Sequence, residues 1–383
     1  MKIESWYQQN FEHHLLGRYI SMEHVYPLLE MYNLKYEISV IGVSEKGQDI
    51  PMLKVGKGDK VVLGWSQMHG NESTTTKALF DFLKFISQDT VFKTEIEHFL
   101  NTYSFYIVPI LNPDGAACYT RVNANNIDLN RDALSLSQLE SQCLRKLFEE
   151  LKPSLCLNLH DQRSIFGFKS GKPATISFLS PAADEERTVT TARKVAMEQI
   201  VKMNAILQKY IPGQVGRYDD SFNNTCVGDT FQKAGAPTIL FEAGHYEQDY
   251  QREKPREFIF YALVALFDII GEGSAPEYKA YFNIPENLKN FNDFILRNVT
   301  IPTQKETVSI AIQFKEFLQN KSVDFKPFID EIGGLDTRIG HKEADLNGGE
   351  ILTIPQESLT VGMDISKIID KTTNSVIFSY NFI

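Results

Sequence analysis

The sequence predicts an α/β fold: a mixed, largely parallel central sheet flanked by helices, followed by a small β-rich C-terminal region. Two observations carry this expectation. Through about the first 270 residues, short apolar runs alternate with amphipathic stretches of helical period, the pattern of strands joined by helical crossovers. Beyond the segment GEGSAPEY, at residues 271–278, the pattern shifts toward strict alternation, as at Val308, Ile310, Ile312 and Phe314. At 383 residues the chain has room for two such regions, expected at 1–273 and 274–383.

Taken in order, residues 1–34 read as helical, with Leu15, Leu16, Tyr19, Ile20, Val25, Leu28, Leu29 and Met31 supplying an apolar face. Residues 36–43 and 50–55 flank the turn signal SEKGQD and read as a hairpin. A strand at 61–65 leads through a turn into a helix at 74–87, where Leu79, Phe82, Leu83 and Ile86 share one face. The apolar run at 104–111 reads as a strand ending at Asn112-Pro113-Asp114-Gly115, a turn by composition. A helix at 134–151 precedes a short buried strand at 154–159, which delivers His160. A strand at 174–179 and a helix at 185–210 follow, then a polar, irregular stretch at 213–228 and a short helix at 231–234. The strand at 238–241 ends on Glu242, and a helix covers 255–270. In the C-terminal region, 285–297 reads as helical, and 350–354 and 376–383 as strands. There is no internal repeat and no low-complexity tract.

The formal charge of −10 disfavours nucleic acid or an anionic membrane as the main partner. Cys118, Cys143, Cys156 and Cys226 form no C-x-x-C pair and read as thiols in a reducing compartment. The N-terminal stretch MKIESWYQQNFEHH lacks a basic start followed by an apolar run, and no apolar stretch approaches the ~18 residues of a membrane span. These features predict a cytoplasmic protein of enzyme size.

Three of the strands, at 61–65, 154–159 and 238–241, lead to polar residues that an apolar strand has no packing reason to carry: His69 with Glu72, His160, and Glu242. The carboxyl ends of strands are where open α/β sheets place their sites. Two histidine nitrogens and a carboxylate, with a fourth position open, describe a hydrolytic zinc centre. The second glutamate is then free to act as a general base. Singly, each residue has a plainer reading. His160 fits a hydrogen-bonded core histidine, Glu242 a structural ion pair, and Gly70 and Asn71 ordinary turn residues.

The order of motifs changes that balance. The chain shows His-Gly-Asn-Glu at 69–72, Asn-Pro-Asp-Gly at 112–115, Arg-x-Asn at 121–123, Asp-Leu-Asn-Arg at 128–131, Leu-His-Asp at 159–161 and Phe-Glu-Ala at 241–243. Over about residues 40–270 it resembles the zinc carboxypeptidase family, the carboxypeptidase A-like metallopeptidases. The resemblance implies one Zn2+ held by His69, Glu72 and His160, with Asp128 orienting a zinc-bound histidine. It implies that Asn130 and Arg131 grip the free α-carboxylate of a peptide or peptide-like substrate. Arg121 would polarise the scissile carbonyl and stabilise the oxyanion, and Glu242 would serve as the base. Digestive members place a mobile tyrosine before the glutamate. Tyr218 lies in the corresponding region at a spacing that does not match, so substrate contact competes with a plain surface-loop role. Gly228 and Asp229 are the nearest counterparts of the family's side-chain pocket determinant, and a hydrogen-bonding role behind the site suits His245.

Two other readings remain. A deacylase of N-acyl amino acids, resembling aspartoacylase or succinylglutamate desuccinylase, shares His-Gly-Asn-Glu and the Asn-Arg pair; Asn-Pro-Asp-Gly followed by Arg121 favours the peptidase. A metal-free binding module would have lost a ligand or the base, and all are present. Residues 274–383 carry no catalytic pattern, which makes packing or partner binding their expected role.

Overall fold

A computed structural model describes the whole chain except residues 1, 89, 272–276, 302–306, 355–358 and 380–383. The chain divides into two compact units that are not consecutive stretches. The first comprises Met1–Gln162, Ala174–Gly244 and Gln251–Asn287; the second comprises Arg163–Pro173, His245–Tyr250 and Leu288–Ile383. Most of the segment expected as the boundary, 271–278, lies outside the described residues, as does the end of the strand expected at 376–383.

The first unit runs α1 (Lys2–Asn10), α2 (Met22–Tyr32), β1 (Glu37–Val43), β2 (Asp49–Val55), β3 (Lys60–Ser66), α3 (Thr74–Gln88), α4 (Lys93–Thr102), β4 (Tyr103–Val108) and α5 (Pro113–Cys118). It continues with α6 (Leu139–Leu151), β5 (Leu155–Asp161), β6 (Ile176–Leu179), α7 (Thr191–Leu207), β7 (Val215–Arg217), α8 (Val227–Lys233), β8 (Thr238–Ala243) and α9 (Glu253–Leu266). The eight strands form one sheet in the order β1-β2-β4-β3-β5-β8-β6-β7. Its centre, β4-β3-β5-β8, is parallel. The pairs β1/β2, β2/β4 and β8/β6 are antiparallel, which makes the sheet mixed. Every residue of β5 is buried. That is why the central strands read as continuous apolar runs: a sheet covered on both faces leaves no side for polar residues.

Several expectations change on physical grounds. Residues 1–34 are two helices with an irregular link, because the link's backbone is bonded elsewhere. Glu12 N donates to Asp81 Oδ1 at 2.7 Å, and Arg256 donates to the carbonyls of Glu12 and Leu15 at 2.8 and 2.6 Å. Residues 112–115 open a helix instead of closing a turn: the Asn112 side chain caps α5 by accepting from Gly115 N at 2.8 Å, and Pro113 stands where a missing N–H costs nothing. The helix expected at 185–210 is confined to α7, and α4 had no clear signal in the sequence.

The second unit is built on a four-stranded sheet of β9 (Phe291–Thr300), β10 (Thr307–Gln319), β11 (Ser322–Gly333) and β12 (Ile339–Asp345), ordered β11-β10-β9-β12. A three-stranded antiparallel sheet adds β13 (Ile351–Ile354), β14 (Lys367–Asp370) and β15 (Val376–Ser379). The largest correction falls here, because residues 285–297 are not helical. β9 is a central strand paired on both edges, and its first six residues are all buried. A strand buried on both faces loses its alternation, and its apolar residues then mimic a helical stripe. Phe294, Leu296, Ile310, Ile312, Ile329, Ile368 and Phe378 form the core of this unit.

Candidate metal centre

The three strands that lead to polar residues are neighbours in register: β5 lies between β3 and β8, with Ser66 opposite Leu159 and His160 opposite Glu242. The turn after β3 is held by its own polar groups. Gln67 Nε2 donates to Gly70 O and to Ile20 O, each at 2.9 Å, and Asn112 Nδ2 donates to Met68 O at 3.1 Å. Gly70 meets α5 so closely that a Cβ there would lie 2.0 Å from the backbone carbon of Gly115. The glycine of the first motif is thus fixed by the second. Asp114 serves the scaffold too, accepting from Lys46 N at 3.0 Å and Gln48 Nε2 at 2.7 Å.

Around this frame the buried side chains of His69, Glu72 and His160 converge. One ligand atom from each lies within 4.8 Å of the others. His69 Nδ1 is 2.9 Å from Glu72 Oε1, His160 Nδ1 is 2.8 Å from Glu72 Oε2, and the two Nδ1 atoms are 3.1 Å apart. Asp128 Oδ1 lies 2.9 Å from His69 Nε2; a carboxylate only accepts, so Nε2 carries the proton and Nδ1 presents a lone pair to the centre. Lone pairs of two imidazoles and a carboxylate repel at these separations unless a cation or protons lie among them. The set therefore fits a divalent metal, and two nitrogens with one carboxylate suit zinc.

The electrostatics follow the same geometry. Burial opposes ionisation of Glu72, yet the two histidines hold its carboxyl well below the usual range. Burial works against protonation of His69, but Glu72 and Asp128 outweigh it and raise the imidazole's pKa. His160 is lowered by burial. Glu242 is raised well above the ordinary value, first by burial and then by repulsion from Glu72 and Asp161.

Arg121 reaches the centre, with Nε 3.0 Å from Asp128 Oδ2 and Nη1 3.3 Å from Glu72 Oε1. Asn130 N donates to Asp128 Oδ1 at 2.9 Å, and its side-chain oxygen accepts from Val227 N at 3.3 Å. Arg131 is exposed; Nη1 donates to Asn130 O at 3.0 Å, and among the described residues no carboxylate pairs with it. Tyr218 is half-buried; burial, then the charges of Glu242 and Glu72, raises its phenol's pKa, so its side chain lies within electrostatic reach of both carboxyls. Asp229 accepts from Asn223 N at 3.1 Å, and burial pushes its carboxyl up to about 6. The ring of His245 makes tilted contacts with those of Tyr250 and His341 in the second unit.

Sequence reasoning assigned no role to Asp161 or Arg252. Asp161 N donates to Glu72 Oε2 at 3.2 Å, and its carboxylate accepts from Thr74 N and Oγ1 at 3.1 and 2.6 Å. Arg252 Nη1 lies 3.7 Å from that carboxylate and donates to Ala243 O at 2.8 Å. The pair braces the strand ends behind Glu72 and Glu242. Asp161 was visible beside His160, but nothing local marks Arg252.

Residues 25–141 match the family described as zinc carboxypeptidase. The resemblance to the zinc carboxypeptidases holds. Carboxypeptidase 2 of Trichophyton rubrum is 24% identical over 128 residues, 31% of this chain and 23% of that protein. Carboxypeptidase M of Mus musculus is 29% identical over 165 residues, 37% of each. The chain thus spans well under half the length of these relatives. Among solved structures, a provisionally named carboxypeptidase A from Shewanella denitrificans has a TM-score of 0.54 at 19% identity, covering 66% of this chain and 70% of that one. A metallo-carboxypeptidase from Burkholderia cenocepacia gives 0.52 at 15% identity, with 65% and 70% covered. These likenesses show the carboxypeptidase fold. The family match ends before His160 and Glu242, which the structure itself brings to the site.

Proposed function

We propose that the chain is a zinc metallocarboxypeptidase that hydrolyses the C-terminal amide of a peptide or cell-wall-derived peptide. The observation that carries this reading is the convergence of His69, Glu72 and His160 beside a Glu242 that faces His160 across paired strands. Zinc held by those three residues would supply Lewis acidity for the scissile carbonyl and the attacking water. Glu242 would act in its ionised form, its raised pKa making it a stronger base, accepting a proton from the attacking water and passing it to the leaving amine. Arg121 balances Asp128 and Glu72 at rest and meets the developing oxyanion. Arg131, a guanidinium with no acidic partner among the described residues, takes the substrate's free carboxylate beside Asn130. Tyr218, half-buried in the β7–α8 stretch, is a candidate substrate contact, with a plain loop role as the alternative.

The catalytic role belongs to the N-terminal region, 1–273 in our assignment, and 274–383 is accessory. No described helix is long and apolar enough to cross a membrane. All four cysteines are free thiols, which supports a reducing, cytoplasmic setting.

The test is mass spectrometry of a mixed pool incubated with zinc-loaded protein and, in parallel, with Glu242→Gln. The pool holds peptides with varied C-termini, γ- and D-linked cell-wall peptides, and N-acyl amino acids. Loss of single C-terminal residues with the parent chain alone supports the proposal and identifies the substrate. Cleavage of N-acyl amino acids alone moves the protein to the deacylase reading.

A further inference from the structure

Tyr218 follows β7 at a point where the chain is tied down on both edges. Its own N donates to Phe178 O at 3.0 Å, which extends the pairing of β7 with β6 by one residue. On the outer edge of β7, Arg217 N donates to Pro285 O at 2.9 Å and Asn287 N donates to Arg217 O at 3.0 Å. Residues 285–287 thus run beside β7 as a further strand would. Just beyond Tyr218, Asp220 is held by the fully buried Arg193, whose Nη2 lies 2.6 Å from Oδ2, and by Arg187 Nη1 at 3.2 Å from Oδ1. A backbone bonded on both edges and braced by a buried guanidinium opens only by breaking several hydrogen bonds at once. The stretch that reads as irregular in sequence is a wall at this residue.

The wall is joined to the metal centre by buried polar side chains. Ser177 is the strand partner of Glu242, and Glu242 of His160, so the three lie in one row across β6, β8 and β5. Gln162 continues β5, its N donating to Ala243 O at 2.9 Å, and its buried side chain falls on the face of His160. There it crosses Gly244, where a Cβ would lie 2.5 Å from Gln162 Nε2. Nε2 donates to Ala174 O and, at 3.1 Å, to Ser177 Oγ. A carbonyl only accepts, so the orientation of this amide is fixed, and its Oε1 accepts from Asn287 Nδ2 at 3.0 Å. Asn287 Nδ2 also lies 3.0 Å from Ser177 Oγ. The Asn287 side chain hydrogen-bonds in turn to that of Tyr218, whose phenol is kept protonated by burial and then by the charges of Glu242 and Glu72. No step of the proposed chemistry uses Gln162, Ser177 or Asn287.

We propose that Asn287 is a positioning residue of the metal centre: anchored on Ser177 and Gln162, it holds the Tyr218 side chain near Glu242, and Tyr218 meets substrate from that fixed place. Satisfied polar networks of this kind rigidify what they touch. A tyrosine held in advance loses little freedom when substrate binds, which strengthens the contact it makes. Asn287 belongs to the first unit although it follows residue 273, so the site draws one side chain from beyond the catalytic region expected from the sequence.

The inference rests on the hydrolytic reading of the metal centre, and its test includes a readout that does not. The full-length zinc-loaded chain is isotopically labelled at the Cζ carbon of tyrosine, and the Tyr218 resonance is assigned by its loss in Tyr218→Phe. One narrow Tyr218 resonance is expected in the parent chain, and a shifted or broadened one in Asn287→Ala. On the substrate found in the pool, Tyr218→Phe and Asn287→Ala should each lower kcat/KM about fivefold to hundredfold at unchanged zinc content. The double variant should lose no more than Tyr218→Phe alone, because Asn287 acts through that side chain. Asn287→Ser, which keeps one hydrogen-bonding group, should recover part of the loss. Two exchanging Tyr218 resonances in the parent, an unmoved resonance in Asn287→Ala, or losses that multiply in the double variant would each overturn the inference. If the parent cleaves nothing in the pool, the proposed function fails, and the Tyr218 resonance still decides whether Asn287 holds that side chain.

Discussion

The two sheets use polar residues in opposite ways, and the contrast explains what each reveals. In the first unit β5 is buried along its whole length, and its histidine and aspartate come at the end. The polar residue is conspicuous because everything before it is apolar. In the second unit polar groups sit inside the strands. Asn292, Asp293 and Gln313 are buried mid-sheet, where they bond to one another's neighbours: Asn292 Nδ2 donates to Asp330 Oδ2 at 2.8 Å, and Gln313 Nε2 donates to Asp293. Chemistry at a strand end is exposed to substrate and legible in sequence. Chemistry within a strand looks like the polar half of an ordinary alternation.

The sharpest way to break this contrast is to remove the strand-end acid. Glu242→Gln keeps the shape and the hydrogen-bonding capacity and removes the proton acceptor. Turnover of the peptide found in the pool experiment should fall about 10²–10⁴-fold. Zinc content should stay at the parental level, because among the described residues the converging ligand atoms come from His69, Glu72 and His160. Elemental mass spectrometry beside the kinetics separates the two effects. Near-parental turnover would show that the polar end of β8 is structural.

The same contrast explains how far the sequence could be read. The hairpin β1/β2 was legible from its turn signal, and the strands β3, β5 and β8 and the convergence of His69, Glu72 and His160 were legible because apolar runs led to residues with no packing purpose. The Arg252–Asp161 brace was not, because its members are distant in sequence and each looks like an ordinary charge. Residues 285–297 were misread because Phe291, Phe294 and Ile295 have helical spacing, and only a pairing partner on each edge makes them a strand. α5 was misread because Asn-Pro-Asp-Gly serves equally as a turn and as a capped helix start.

Buried charge in the first unit also has a purely architectural form. Arg256 and Asp81 are both fully buried, with Arg256 Nε and Nη2 each donating at 2.7 Å. Arg256→Ala should cost about 3–5 kcal/mol, because it strands a carboxylate without its partner. Guanidinium unfolding would read this directly, and pairing Arg256→Met with Asp81→Leu should restore most of it. A loss below about 1 kcal/mol would mean that the link between α1 and α2 is not held from α9.

Arg131 is the exposed counterpart of Arg256. Arg131→Ala should leave stability unchanged and lower kcat/KM for free-carboxylate peptides by about 1.5–3 kcal/mol, roughly tenfold to hundredfold. The residual rate on C-terminally amidated peptides should not move. Equal losses on both would show that Arg131 is not the carboxylate clamp.

The smallest expected effect tests whether distance or burial decides the worth of an ion pair. Arg338 Nη2 lies 2.8 Å from Glu331 Oε2 in the second unit, almost the separation of Arg256 from Asp81, but the two side chains are 29% and 45% exposed. Water already solvates both charges, so Arg338→Ala should cost about 0.2–1 kcal/mol, measured under the same unfolding conditions. Arg338 Nη1 also donates to Lys289 O at 3.0 Å, which places the expectation toward the upper end of that range. A cost matching that of Arg256→Ala would show that short ionic contacts hold the second unit as firmly as the first, and the distinction between its polar strands and the buried charge of the first unit would fail.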